Sequence, residues 1–171
     1  MKAFRLTLPI ILLSLVCFQG CWNPFAPTEG ILEGEASLIL TEQKSPEEVL
    51  QNFRYAYIYR DSVIYSELLD TSFIFLYYDP ELGGSGGDDY WGRDTELRTT
   101  GRLFRTFDHF TLVWNATIAE DTSQNDIISL TKTFDLSIAG EYFLSGNAIF
   151  DFISDSAGIW RISRWQDESF F

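Results

Sequence analysis

Thiols are nearly missing from this chain, whose 171 residues include two cysteines, Cys17 and Cys21, both close to the N-terminus. Nothing after Cys21 can form a disulfide, offer a thiolate to a metal or act as a cysteine nucleophile. Histidine is as scarce: His109 stands alone, which removes chemistry that needs two imidazoles. Positive charge is also thin, with 12 Lys and Arg against 25 Asp and Glu for a formal charge of −13. Such a surface repels phosphate backbones and anionic headgroups, so no nucleic-acid partner is expected. Aromatic residues are what the chain has in quantity, 15 Phe, 8 Tyr and 5 Trp. Without crosslinks, stability has to come from packing these rings, each of which contributes about 1.5–3 kcal/mol when well buried.

Lys2 and Arg5 open a segment whose apolar run, residues 6 to 18, has signal-peptide length and is too short to span a bilayer. Phe18-Gln19-Gly20-Cys21 resembles the lipobox of bacterial lipoproteins at Gly20 and Cys21 and departs from it at Phe18 and Gln19. The resemblance implies cleavage after Gly20 and acylation of Cys21, with each buried methylene adding about 0.8 kcal/mol to membrane anchorage. The protein is then expected in the cell envelope, held to a lipid bilayer through Cys21; plain secretion with cleavage nearby is the alternative. Loss of residues 1–20 leaves 10 basic against 25 acidic residues, a charge of −15. The remaining 151 residues suit one domain, able to bury about 68% of the surface of its unfolded chain.

Residues 21–44 hold the candidate lipidated cysteine and a spacer with two prolines near its start. Ser45-Pro46-Glu47-Glu48 predicts a capped helix start, with Glu48 placed to bond back. Val49, Phe53, Ala56 and Tyr57 form one stripe of a helix over 46–60. Asp61-Ser62 ends it and caps a shorter helix over 63–69, followed by strand-forming residues 72–78. The glycine-rich stretch 79–92 reads as a loop, and 93–106 as a helix with Leu97, Gly101 and Phe104 inward. Four runs near 109–119, 126–138, 141–153 and 158–166 alternate with period two and predict consecutive antiparallel strands. Phe110, Leu112, Trp114, Ala116 and Ile118 share a face in the first, and Trp160 and Ile162 in the last. A sheet with one apolar face needs cover, which only the N-terminal helices supply, so the fold class is α+β.

Three stretches carry a family likeness: Ser45 to Tyr78; Trp91-Gly92-Arg93-Asp94-Thr95-Glu96-Leu97 running on to Phe104; and Gly158-Ile159-Trp160-Arg161-Ile162-Ser163-Arg164-Trp165-Gln166-Asp167. Their order, over residues 45–168, resembles the NTF2-like superfamily, especially its SnoaL-like and ketosteroid-isomerase-like branches. The resemblance implies a strongly curved, mainly antiparallel sheet wrapped around the N-terminal helices as a cone. It implies no single chemistry, because this scaffold hosts isomerases, dehydratases, hydrolases and binding subunits.

Lys132 interrupts an apolar face, and Arg164 follows Ile162 on the corresponding face of the last strand. A buried cation needs a partner. One reading places both at the mouth of the cone as holders of a ligand carboxylate, with Tyr57 and Tyr142 offering hydroxyls. The other has a bulge at Lys132, or a buried stem whose ammonium reaches solvent. Catalytic sets of known branches fit poorly: Asp135 and Asp151 fall on polar strand faces, and His109 points away from the core by parity with Phe110. Residues 83–91 match one copy of a calcium-binding nonapeptide, whose ligands normally come from adjacent turns of a roll, so no metal or other cofactor is expected. Trp165, Val113, Phe143, Ile149 and Ile153 are expected on the outer sheet face, where a homodimer would form. The leading expectation is non-catalytic binding of a small apolar or carboxylate-bearing ligand or of a protein partner. An isomerase or hydratase using a pocket Asp or Tyr, and a structural subunit with a filled cone, are the alternatives.

Overall fold

The computed structural model describes residues 40–123 and 126–170; the leader, Cys21 and most of the spacer lie outside the described residues. Helix α1 is Pro46–Tyr59, α2 is Ser62–Leu68 and α3 is Arg93–Thr106. The strands are β1 Leu69–Asp79, β2 Gly87–Gly92, β3 Phe110–Asp121, β4 Ile127–Ile138, β5 Tyr142–Ser154 and β6 Trp160–Phe170. They form one curved, unclosed sheet in the order β2-β1-β6-β5-β4-β3. Every neighbouring pair is antiparallel except β1 and β6, which run parallel.

Local chemistry explains the helix ends. The Ser45 hydroxyl accepts from the Glu48 amide at 3.3 Å, while Glu48 Oε2 accepts from the Lys44 amide at 2.7 Å, one residue before the usual capping-box partner. Arg60 closes α1 in the left-handed region, at φ 57°, and lets the Asp61 amide reach the Ala56 carbonyl at 2.8 Å. Asp61 then caps α2 through Val63 and Ile64. Buried Asn52 bonds both the amide and the carbonyl of Thr41, and Gln43 bonds both backbone groups of Trp160, so the chain is tied to the domain before α1 begins.

The core is a cluster of rings centred on Phe53. Its centroid lies 4.9 Å from Tyr57, 5.4 Å from Tyr65, 5.6 Å from Trp114, 6.0 Å from Phe150 and 5.5 Å from Trp165. Such offset and edge-on pairs add about 0.5–1.5 kcal/mol each beyond the area they bury.

Three sequence expectations require correction. The stretch 79–92 is not all loop: residues 87–92 form β2, laddered to β1 from Ile74↔Gly92 to Asp79↔Gly87. Two glycines and paired aspartates obscure its alternation of exposed Tyr90 and half-buried Trp91. In β3 the register slips after Trp114 and again after Thr117, so Ala116 and Ile118 are exposed instead of continuing the inner face. Most consequential, β6 carries a bulge. Ile162 sits opposite Phe152 and Arg164 opposite Asp151, leaving Ser163 as an extra residue. An added residue exchanges the faces of everything beyond it. Arg164, expected inside, faces outward, whereas Trp165, expected outside, stands opposite fully buried Phe150.

Phe53→Ala is expected to lose about 3–5 kcal/mol of stability in urea denaturation, as for other buried aromatic truncations. A Cβ on Gly146 would lie 2.5 Å from Ser169 Cα and 2.6 Å from the Glu168 carbonyl oxygen. Gly146→Ala should therefore force β6 away from β5, costing about 1–3 kcal/mol and increasing hydrogen exchange at residues 168–169.

Candidate functional site

Where the cone could be hollow, between α1 and the sheet, it is packed. Phe53, Tyr57, Trp114, Phe134 and Trp165 line, with aliphatic neighbours, a void of about 20 Å³. That is room for about one water molecule, and the lining offers such a molecule only apolar surface. The Trp165 indole N–H is buried nearby without a hydrogen-bond partner.

The four residues proposed for a ligand carboxylate are engaged separately. Lys132 is on the inner face and 8% exposed, and its Nζ lies 3.0 Å from Glu47 Oε2 in the first turn of α1. The β4–β5 register is unbroken there, so the lysine stem is buried on the sheet while its ammonium reaches an exposed carboxylate. Arg164 Nη1 lies 3.4 Å from Asp151 Oδ2 on the outer face, and Nη2 donates to Gln166 Oε1 at 2.6 Å. Tyr142, 54% exposed, packs on Phe107 at the start of β5. Tyr57 is buried among Phe53, Tyr65 and Phe104.

A buried carboxylate that the sequence reading passed over lies on α3. Glu96 is 3% exposed; its Oε1 accepts from Tyr65 Oη and Thr100 Oγ1, and its Oε2 from Trp91 Nε1, all at 2.7 Å. Burial first, and then the Glu96 charge, push the Tyr57 and Tyr65 phenols well above their ordinary range, so both remain protonated at any physiological pH. The signal was present in the spacing. Glu96, Thr100 and Phe104 repeat every four residues and share one stripe of α3, so buried Phe104 marks the other two as inward.

Trp91 links this network to a groove of about 760 Å³ between the ends of β1, β2 and β6. Phe75, Tyr77 and Trp91 line one side, with Phe75 stacked on Trp91 at 4.5 Å and Tyr77 4.7 Å from Trp91. Asp88, Asp167 and Glu168 also line it, together with Gln166 and Ser169, and no basic residue does. Tyr77 donates to Asp89 Oδ2 at 3.2 Å across the β1–β2 ladder. Asp167, brought to the inner side by the β6 bulge, accepts from the Ser169 amide at 2.9 Å and from its hydroxyl at 3.2 Å. Burial raises its pKa above the ordinary 3.8 despite those bonds, and Glu168 adds to the effect. Among the described residues, no three His, Cys, Asp or Glu side chains gather into a metal site.

A carboxyl with a raised folded pKa stabilises the fold fully below its unfolded pKa, and that contribution is lost as pH rises through the folded value. Asp167→Asn is therefore expected to be more stable than the parent at neutral pH, with the gap closing as pH falls through the raised folded value towards about 3.8; thermal melts across pH test this. Glu96→Gln turns an amide donor toward groups that are themselves donors, and should cost about 1–3 kcal/mol in urea denaturation.

No family model matches the chain, and no curated protein does. Solved structures do. A conserved protein of Planctomyces limnophilus superposes with a TM-score of 0.59 at 14% identity, over 72% of this chain and 92% of that one. A Novosphingobium aromaticivorans protein provisionally named a scytalone dehydratase gives 0.59 at 14% identity, over 73% and 81%. An NTF2-like superfamily protein of Salmonella enterica serovar Typhimurium gives 0.55 at 12% identity, over 70% and 84%. With its helices seated in a curved sheet of this strand order, the chain has the NTF2-like fold.

Proposed function

We propose that this is a lipid-anchored envelope protein whose NTF2-like domain binds a small molecule without transforming it, in the groove beside β1, β2 and β6. The contrast in volume carries the reading: the cone interior keeps about 20 Å³, while the groove offers about 760 Å³, within the size range of small-molecule sites. The polar groups of a reactive centre are already engaged by one another, with Glu96 accepting from Tyr65, Thr100 and Trp91. A carboxylate-bearing ligand loses its support because Lys132 and Arg164 have protein partners and the groove lining is acidic. Anchorage rests on the resemblance of residues 18–21 to a lipobox; among the described residues no helix is long and apolar enough to cross a membrane.

Asp167 favours one second reading. Its raised pKa and position in the groove suit a general base of an isomerase or hydratase. Such an enzyme would lose turnover in Asp167→Asn while retaining binding.

Two measurements test the proposal. Cys21→Ser should abolish labelling by radioactive palmitate and move the protein from the membrane to the aqueous fraction; retention of label would overturn the anchor. Native mass spectrometry of the Cys21→Ser protein should show a bound small molecule that is lost when Trp91 is replaced by Ala. Unchanged retention in that variant would place the ligand outside the groove.

A further inference from the structure

We infer that the groove selects an organic cation, an amine or quaternary ammonium carrying apolar substituents; this rests on the ligand-binding reading above and narrows it. Three observations converge. The first is its composition: Asp167 stands on the same sheet face as the rings, its sequence neighbour Glu168 and, from β2, Asp88 reach the groove from the opposite face, and among the described residues no lysine or arginine lines it. Asp167 feels the charge of Glu168 beside it, and a cation in the groove relieves that repulsion.

The second is the aromatic side. Phe75, Tyr77 and Trp91 line the groove and lie within 6.1 Å of one another, centroid to centroid. Ring faces attract cations, and alkylated ammonium ions lose less hydration than bare ones on approaching them. Tyr77 donates its hydroxyl proton to Asp89, and Trp91 donates its indole N–H to Glu96. Both polar edges are thus bonded to carboxylates, which makes the rings more electron-rich.

The third is the disposition of nearby cations, any of which could have neutralised the acidic groups. Arg164, on the strand that supplies Asp167 and Glu168, is turned outward by the bulge and bound to Asp151 and Gln166. Arg93, directly after β2, donates to the Leu69 and Ser66 carbonyls. Among the described residues the acidic lining therefore has no basic side chain in the groove.

Isothermal titration calorimetry on the purified full-length protein tests the inference with choline, its neutral carbon isostere 3,3-dimethylbutan-1-ol, sodium ion and benzoate. Choline should bind at least about tenfold more tightly than the isostere, the discrimination expected of a partly desolvated cation on aromatic faces. Sodium and benzoate should give no saturable heat. Asp167→Asn and Glu168→Gln should each weaken choline several-fold, whereas Glu120→Gln, which removes the same charge from the exposed end of β3, should not. Equal binding of choline and the isostere would overturn the charge argument and leave the ligand-binding reading standing. Absence of choline binding, or equal weakening by Glu120→Gln, would also overturn the inference. Loss of choline affinity in Tyr77→Leu, with the fold verified by circular dichroism, would support it, and unchanged affinity there would count against the aromatic contribution and overturn it.

Discussion

The edge-on contact between Phe53 and Trp165, with centroids 5.5 Å apart, decides what this cone can contain. Trp165 reaches it only because Ser163 is an extra residue in β6. Without that bulge the indole would face outward and the Arg164 guanidinium would enter the cone. The exchange carries a cost, since the indole N–H is buried without a partner, at about 1–3 kcal/mol. Burying a large aromatic side chain returns about 1.5–3 kcal/mol by area, and the edge-on pairs with Phe53 and Phe75 add to it. Burial offsets that cost, and its consequence is a nearly filled interior with ligand-sized space displaced to the rim.

The same strand settles the electrostatics. Basic side chains in the domain are largely occupied with structure: Arg54 donates to the Leu112 carbonyl, Arg93 to carbonyls at the end of α2 and the start of β1, Lys132 meets Glu47, and Arg161 meets Asp155. With acidic residues outnumbering basic ones by more than two to one, some carboxylates must lack counterions. On the outer surface water screens that excess. In the groove, apolar rings on one side limit the screening, which is why the charge there can discriminate between ligands.

Much of the fold was legible because it depends on short-range signals. The Ser45 cap, the Val49-Phe53-Ala56-Tyr57 stripe and the alternation in β4 and β5 each express a constraint within a few residues. The candidate site was not, because it arises where those local rules are interrupted. A bulge has no period of its own, so counting by twos through Ser163 assigned Arg164 and Trp165 to the wrong faces. Strand β2 exists because β1 offers it an edge, and its Gly-Asp-Asp opening resembles a turn until that partner is known. Glu96 was overlooked because a carboxylate on a polar helix is expected in water; only three donors from α2, α3 and β2 make its burial tolerable. Lys132, in contrast, could be read as an anomaly from sequence, although its partner Glu47 could not.

The parallel pairing of β1 with β6 has a consequence for how the molecule is made. The sheet consists of two ribbons, β2-β1 on one side and β5-β4-β3 on the other, and β6 is the seam that joins them. Because residues 160–170 follow every other strand described, neither ribbon can be stitched to the other until that segment has left the ribosome. Until then the rings that will surround Phe53 stay divided between two partial sheets with open edges, a state prone to association with other chains. Productive assembly thus waits for one late zippering event, and a chaperone that shields the unfinished edges would act in that interval.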